Sequence, residues 1–226
     1  MNDGPEINAD CTNLVIVRPD EMVWENTGAE GVSKVVLERL NHTEFGRETV
    51  LLRLAPGTHL SPEVLKERIE IFVVEGTFSD GHGEYGPQTF VMNPPGTNYR
   101  AASASGCVLY VKHLRGFSDG AERIVTNLET APWTPFGDRV AEVVHFYKEP
   151  DRDVTARVRR VYPQAQIMEH DHPGGEEVLI LDGVFSDQFG DGKPGTWLRY
   201  PIGLAHAPYS GPEGALIYIR DGDVRW

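Results

Sequence analysis

The sequence is poor in positive charge and has no long apolar run. Its 226 residues include 21 Lys and Arg against 34 Asp and Glu, which gives a formal net charge of −13. Because such a chain repels both the phosphate backbone and anionic lipid, we expect neither nucleic acid nor a membrane as a partner. No apolar run approaches the roughly 18 residues that a transmembrane helix requires.

Cysteine is also scarce. Cys11 and Cys107 are far apart and outside any Cys-x-x-Cys spacing, so we expect two reduced thiols. The sequence begins Met-Asn-Asp-Gly-Pro-Glu, without the basic segment and apolar core of an export signal. Together these features predict a cytoplasmic protein.

Short apolar segments separated by turn residues recur along the chain. Their Val, Ile, Leu and aromatic content is typical of β-strands, and 24 glycines and 16 prolines supply turns. The predicted strands are 14–17, 32–40, 49–54, 70–78, 89–92, 108–111, 141–147, 154–162, 177–185, 196–200 and 215–220. A helix is suggested by the pattern at 63–70 alone. The sequence therefore favours an all-β sandwich or barrel.

An internal repeat divides the chain. A shift of 107 residues, without gaps, superimposes the Phe-Ser-Asp of 78–80 on that of 185–187. The same shift aligns further identical pairs: Arg53/Arg160, Pro56/Pro163, Glu70/Glu177, Gly76/Gly183, Thr89/Thr196, Pro94/Pro201 and Gly96/Gly203. One shift that serves about forty residues indicates two tandem copies of one β-domain. We place the first domain at 1–113, a linker at 114–130 and the second domain at 131–226.

The second copy contains residues that can bind a metal. His170 and His172 lie two positions apart, so on a strand their side chains project to the same side. A turn at 173–175 then returns the chain and lets Glu176 reach the same point. His206 is the fourth residue. Three imidazoles and one carboxylate suit a divalent metal such as zinc, iron(II), manganese or nickel.

Glu176 and Glu177 compete for the carboxylate position, because adjacent strand residues point to opposite faces. Glu177 has a counterpart, Glu70, in a copy that lacks the other ligands. This comparison favours Glu176.

Two segments match the signature motifs of the cupin superfamily, whose members are small jelly-roll barrels. The first motif, His-x-His-x3-Glu-x6-Gly, is matched at 170–183, and its spacing also selects Glu176. The second, Gly-x5-Pro-x-Gly-x2-His, is matched at 195–206, after which Ser210 replaces the usual Asn. The run His-Pro-Gly-Gly-Glu-Glu-Val-Leu-Ile-Leu-Asp-Gly-Val-Phe-Ser-Asp resembles the cupin domain of ChrR-type anti-sigma factors and related free-standing bicupins.

The resemblance implies a bicupin, an all-β protein of two tandem cupin-type jelly-roll β-barrels. It further implies one divalent metal per chain inside the second barrel. The implied ligands are His170, His172, Glu176 and His206. Zinc is the metal that the ChrR resemblance favours, whereas iron is the metal of related cupin dioxygenases.

The first copy has no equivalent ligand set. The shift of 107 residues places Glu63, Leu65, Ile69 and Tyr99 at the four ligand positions. Because Leu and Ile do not ligate metals, we expect the first barrel to be metal-free. Its expected role is packing, within the chain or across a homodimer, and an organic molecule in the vacated barrel is the alternative.

Several side chains of the second copy are placed to line its barrel. They are His145, Tyr147, Arg157, Arg159, Trp197, Tyr200, Tyr209 and Tyr218. For each of them we expect ordinary packing, because barrel cores routinely contain aromatic side chains.

Three functions follow from the resemblance. The first is a stress-sensing, regulatory cupin. In ChrR-type proteins a separate N-terminal zinc module binds the sigma factor. In this sequence about a dozen residues precede the first predicted strand, and they contain one Cys and no His. We therefore do not expect a sigma factor as partner. The second is an iron-dependent dioxygenase that cleaves a small hydroxylated ketone or diketone. The third is a metal-stabilised structural bicupin.

Overall fold

The computed structural model describes residues 4–41, 44–117, 121–137, 140–149 and 153–222. Its strands are β1 (Val15–Val17), β2 (Glu25–Asn26), β3 (Val32–Leu40), β4 (Arg47–Leu54), β5 (Thr58–His59), β6 (Glu63–Val64), β7 (Arg68–Gly76), β8 (Phe78–Ser79), β9 (Glu84–Tyr85), β10 (Thr89–Asn93), β11 (Asn98–Tyr99), β12 (Ala102–Ser103), β13 (Cys107–Leu114), β14 (Ile124–Asn127), β15 (Thr134–Phe136), β16 (Ala141–Glu149), β17 (Val154–Val161), β18 (Glu176–Asp187), β19 (Gly190–Gly192), β20 (Trp197–Tyr200) and β21 (Tyr209–Asp221). A 3-10 turn covers Pro19–Glu21. The predicted all-β fold is confirmed. Among the described residues, no helix has the length and apolar character needed to span a membrane.

The first unit contains the described residues within Met1–Ala9 and Val23–Thr130. Its main sheet has the strand order β14-β10-β7-β13-β4-β3-β2, opposed by the smaller sheet β5-β12-β8-β9 and the pair β11-β6. Alternate residues of β7, namely Ile69, Ile71 and Val73, lie in one apolar core. This alternation is what a strand with one face on a barrel interior requires.

The second unit contains the described residues within Asp10–Met22 and Ala131–Trp226. Its main sheet has the order β1-β20-β18-β21-β17-β16-β15, and β19 pairs with β18. Val178 and Ile180 of β18 face the core together with Ile217 and Ile219 of β21. The register pairs Val178 with Ile219 and Ile180 with Ile217, so these side chains meet on the interior face.

Six consecutive strands of the two main sheets follow the same order, as the sequence repeat requires. β7, β10, β13 and β4 occupy the places that β18, β20, β21 and β17 occupy in the second unit. The repeated glycine also recurs: Gly76 and Gly183 have φ of 73° and 71°. A Cβ on either would collide with a carbonyl oxygen, that of Gly106 or Gly214, so glycine is required.

The edge strands divide the chain differently from the predicted boundaries. β1 lies within the predicted first domain, yet it pairs with β20 of the second unit. β14 lies within the predicted linker, 114–130, yet it pairs with β10 of the first unit. Sequence patterning could not assign these partners, because a short apolar strand fits the edge of either sheet.

The helix suggested at 63–70 is wrong. Glu63–Val64 is strand β6, paired with β11, and Arg68 begins β7. Leu65, between the strands, donates its backbone N–H to Thr97 O at 3.0 Å. Its side chain is buried in the apolar core of the first unit, which outweighs the local helical preference of the segment.

The position of β1 is testable by substitution. Ile16 pairs with Leu198 and packs against the core of the second unit. We expect Ile16→Asp to destabilise this unit by about 2 kcal/mol, because it places a charge against apolar side chains. Hydrogen exchange of the variant measures this effect: the protection of backbone amides should fall in β18 and β20 and persist in β7 and β13.

Val23→Asp is the matched control, because Val23 is 72% exposed. It should leave exchange unchanged throughout. Loss of protection in the first unit after Ile16→Asp would contradict the assignment of β1.

Candidate metal centre

The four predicted ligands lie in two overlapping clusters of the second unit, His170 with His172 and His206, and His172 with Glu176 and Asp221. His170 and His206 form an isolated antiparallel bridge, with backbone N···O distances of 3.0 and 2.9 Å in the two directions. His172 begins a tight turn in which Gly175 N donates to its carbonyl oxygen at 3.0 Å. The chain then enters β18 at Glu176. Each side chain is thus placed by backbone pairing.

Their ligating atoms lie close together. His172 Nε2 is 3.2 Å from His206 Nε2 and 3.3 Å from Glu176 Oε2, and His206 Nε2 is 3.8 Å from the same oxygen. One nitrogen of His170 lies within 4.8 Å of a nitrogen of each of the other two histidines. His206 and Glu176 are 1% and 3% exposed, so these two side chains are shielded from water.

Each histidine has an oxygen close to its Nδ1, as a hydrogen-bond acceptor for His170 and His206 and as an ion-pair partner for His172. These oxygens are Met168 O at 2.8 Å from His170, Asp221 Oδ1 at 3.1 Å from His172, and Asp187 Oδ2 at 3.2 Å from His206. A carbonyl or an ionised carboxylate can only accept, so Nδ1 of His170 and of His206 donates. In metal-binding histidines the nitrogen that does not ligate usually donates in this way.

Burial and the neighbouring charges shift the pKa values of the side chains in the cluster. Burial raises the pKa of Glu176 above its ordinary value. Burial alone would lower the pKa of His172, but its hydrogen bond to Asp221 and the charge of Glu176 outweigh burial and raise it. Burial lowers the pKa of His170. A buried carboxyl group and facing imidazoles are costly without a cation between them.

The structure places Glu176, and not Glu177, beside the histidines. Glu177 is the next residue of β18, and its side chain projects to the opposite face of the sheet. There the register sets it between Arg199 and Arg220, both 0% exposed. The two adjacent carboxylates therefore have different surroundings.

Asp187 was not recognised as a site residue from the sequence. Besides His206, it accepts a hydrogen bond from Tyr200 Oη at 2.7 Å, and these bonds outweigh burial and lower its pKa. The sequence repeat could have marked Asp187, because Phe-Ser-Asp also occurs in the first copy at 78–80. There Asp80 accepts from Tyr85 Oη at 3.0 Å and from Arg123 at 2.6 Å.

Asp221 was also missed. It holds Nδ1 of His172 and forms an ion pair with Arg157. These two partners outweigh burial and lower the pKa of Asp221. Nothing in the sequence marks it, because the repeat places Leu114 at the corresponding position.

The corresponding region of the first unit is apolar. Leu65, Ile69 and Tyr99 are 4%, 4% and 8% exposed and belong to its core. Glu63 is exposed and pairs through its backbone with Tyr99, as His170 pairs with His206. Among the residues that the structure describes, the clusters of three or more potential metal-ligating side chains lie in the second unit.

A cavity of about 500 Å³ opens beside the cluster. It is lined by Phe136, Gly137, Val140, Arg157, Arg159, Gln166, Ile167, Met168, Glu169, His170 and His172. Arg157 and Arg159 were expected to pack ordinarily, but they line this cavity as buried cations. Two of the four predicted ligands are thus accessible from one side.

The contact between Asp221 and His172 leads to a titration prediction. We expect Asp221→Asn to lower the pKa of His172 in chelator-treated protein, because burial then opposes the imidazolium without the compensating carboxylate. NMR titration of the histidine side chains measures this shift. Asp191→Asn, at an exposed position of β19, is the control; an unchanged pKa in Asp221→Asn would contradict the contact.

Comparison with known proteins shows the family and the fold. The family model of the ChrR cupin-like domain matches residues 12–115 and again 121–225. No curated protein matches the chain. Among solved structures, a Pseudomonas aeruginosa protein provisionally described as glyoxylate-induced covers 100% of this chain and 94% of its own, at 16% identity and TM-score 0.76.

Two further structures share the fold. A Nostoc punctiforme protein provisionally described as a dioxygenase covers 97% of this chain and 82% of its own, at 13% identity and TM-score 0.69. Oxalate decarboxylase of Bacillus subtilis, studied for its Mn(II) centres, covers 95% of this chain and 78% of its own, at 13% identity and TM-score 0.65. The two family matches and the two barrels together show that the chain is a bicupin and belongs to the ChrR cupin-like family.

Proposed function

We propose that the second barrel binds one divalent metal through His170, His172, Glu176 and His206. The observation that carries this proposal is the common orientation of the three imidazoles. Each Nδ1 faces an oxygen, one nitrogen of each ring lies within 4.8 Å of those of the other two, and Glu176 Oε2 is 3.3 Å from His172 Nε2 and 3.8 Å from His206 Nε2. A divalent cation is the species that satisfies this donor set.

The residues around the ligands hold them in place. Asp221 and Asp187 fix the ring orientations of His172 and His206, and Arg157 balances the charge of Asp221. Tyr200 donates to Asp187 and so keeps that carboxylate directed at His206. When bound, the metal supplies Lewis acidity to an oxygen of a molecule in the cavity.

The role we propose first is regulatory: a stress-sensing cupin whose signal is a small molecule in the cavity. The support is the match to the ChrR cupin-like family along both halves of the chain. The cavity beside His170 and His172 favours this role over a purely structural one, because a structural metal site is usually closed.

A metal-dependent dioxygenase is the second candidate. The cavity of about 500 Å³ leaves room for a small hydroxylated ketone or diketone against the accessible side of the site. Metal identity separates the two roles, because zinc has no redox chemistry and iron has. The expected homodimer and the cytoplasmic location remain predictions from the sequence.

Metal content tests the ligand assignment. We expect about one zinc per chain in protein purified without added metal or chelator, and its loss in His172→Ala, because three donors remain where four converge. Elemental analysis of the purified protein measures it. Iron or manganese at the same stoichiometry would instead favour the dioxygenase and call for oxygen-uptake assays with small diketones.

Glu63→Ala is the matched control, because Glu63 occupies the position of His170 in the first copy. It should leave the metal content unchanged. Full metal retention by His172→Ala, or equal loss in both variants, would overturn the assignment.

A further inference from the structure

Two arginines project into the second barrel from β17. Arg157 pairs with Ile219 and Arg159 with Ile217 of the neighbouring strand. Since paired residues share a face, both guanidinium groups lie on the side of the buried core isoleucines. The two arginines are 7% and 5% exposed.

The two guanidinium groups differ in their partners. Arg157 forms an ion pair with Asp221 and donates to Thr155 Oγ1 at 2.6 Å. Arg159 lies over the ring of Phe136, with Cζ 3.8 Å from the ring centroid. Its Nε is buried without a hydrogen-bond partner, and no carboxylate of the described residues forms an ion pair with it.

An unpaired buried cation is costly and is normally compensated. Burial, with the adjacent charge of Arg157, lowers the pKa of Arg159 to about 10, so it stays protonated at neutral pH. Glu169 also lines the cavity, but its side chain is exposed and makes no ion pair with Arg159. The charges of Glu176 and Asp221 favour the Arg159 cation from a distance, but neither carboxylate forms an ion pair with it, so the guanidinium has no described carboxylate in direct contact.

The side chains of the cavity wall indicate what kind of molecule fits the cavity. Phe136, Val140, Ile167 and Met168 give it an apolar side, and Arg159 contributes the cation. A guanidinium presents parallel N–H donors that match a carboxylate, whereas an apolar wall favours a hydrocarbon or aromatic body.

We propose that this cavity binds a small organic carboxylate, with its carboxylate on Arg159 and its apolar body along the wall toward His170 and His172. That this molecule also approaches the metal rests on the function proposed above, whereas its contact with Arg159 does not. The inference thus assigns a substrate or signal class to the site.

Isothermal titration of the purified protein with benzoate, phenylacetate and hexanoate tests the proposal, at constant ionic strength set with sodium chloride. Benzamide is the uncharged comparison. We expect at least one carboxylate to bind once per chain and benzamide not to bind. Arg159→Gln should weaken that binding at least tenfold.

Arg160→Gln is the matched control on the same strand. Arg160 stacks on Trp133 at 4.0 Å, pairs with Glu142 at 3.3 Å, and has a side chain that is 50% exposed. The affinity of the Arg160→Gln variant for the carboxylate should stay within twofold of that of the parent protein. If Arg159→Gln does not fold, Arg159→Lys retains the charge without the planar fork and should still weaken binding.

The outcomes separate the two proposals when metal content is measured on the same samples. Three results would overturn the inference even if the metal is present. They are that no carboxylate binds, that the Arg159 variants bind the carboxylate as tightly as the parent protein, or that inorganic phosphate competes as well as the carboxylates do. Arg159-dependent binding in protein that holds no metal would support the inference and contradict the proposed function.

Discussion

The second unit is organised around a contact among three histidine side chains and the buried carboxyl group of Glu176. His172 Nε2 lies 3.2 Å from His206 Nε2 and 3.3 Å from Glu176. With an oxygen beside each Nδ1, the two Nε2 atoms face one another. A proton shared between them relieves this arrangement in part, and the divalent cation that we propose would relieve it fully. Met168, Asp221 and Asp187 matter for this reason, because they hold the opposite side of the three imidazole rings.

Comparison of the two units shows which features belong to the barrel and which to the site. Both keep the order of six strands, a glycine with positive φ (Gly76 or Gly183) and a buried aspartate, Asp80 or Asp187. In the first unit that aspartate is satisfied by Arg123, whereas in the second it orients His206. Apolar packing of Leu65 and Ile69 replaces the polar cluster. One scaffold therefore accommodates an apolar core or a ligand set at the same positions.

The sequence was sufficient for the all-β fold, the repeat and the closeness of His170, His172 and His206, because these follow from strand periodicity and fixed spacings. It was insufficient wherever a residue acts through a partner distant in sequence. Asp221 reaches His172 through strand pairing, and Arg159 lines a cavity that no local pattern defines. The partners of β1 and β14 were hidden for the same reason, because edge pairing is decided by the assembled sheet.

Anomalous diffraction from crystals of the protein, recorded across the zinc, iron and manganese absorption edges, would locate the proposed metal. We expect a single metal peak in the second barrel, about 2.0–2.2 Å from Nε2 of His170, His172 and His206 and from a Glu176 oxygen. A peak held by other side chains, or a cluster without any peak in protein that had been supplied with metal, would contradict the proposal.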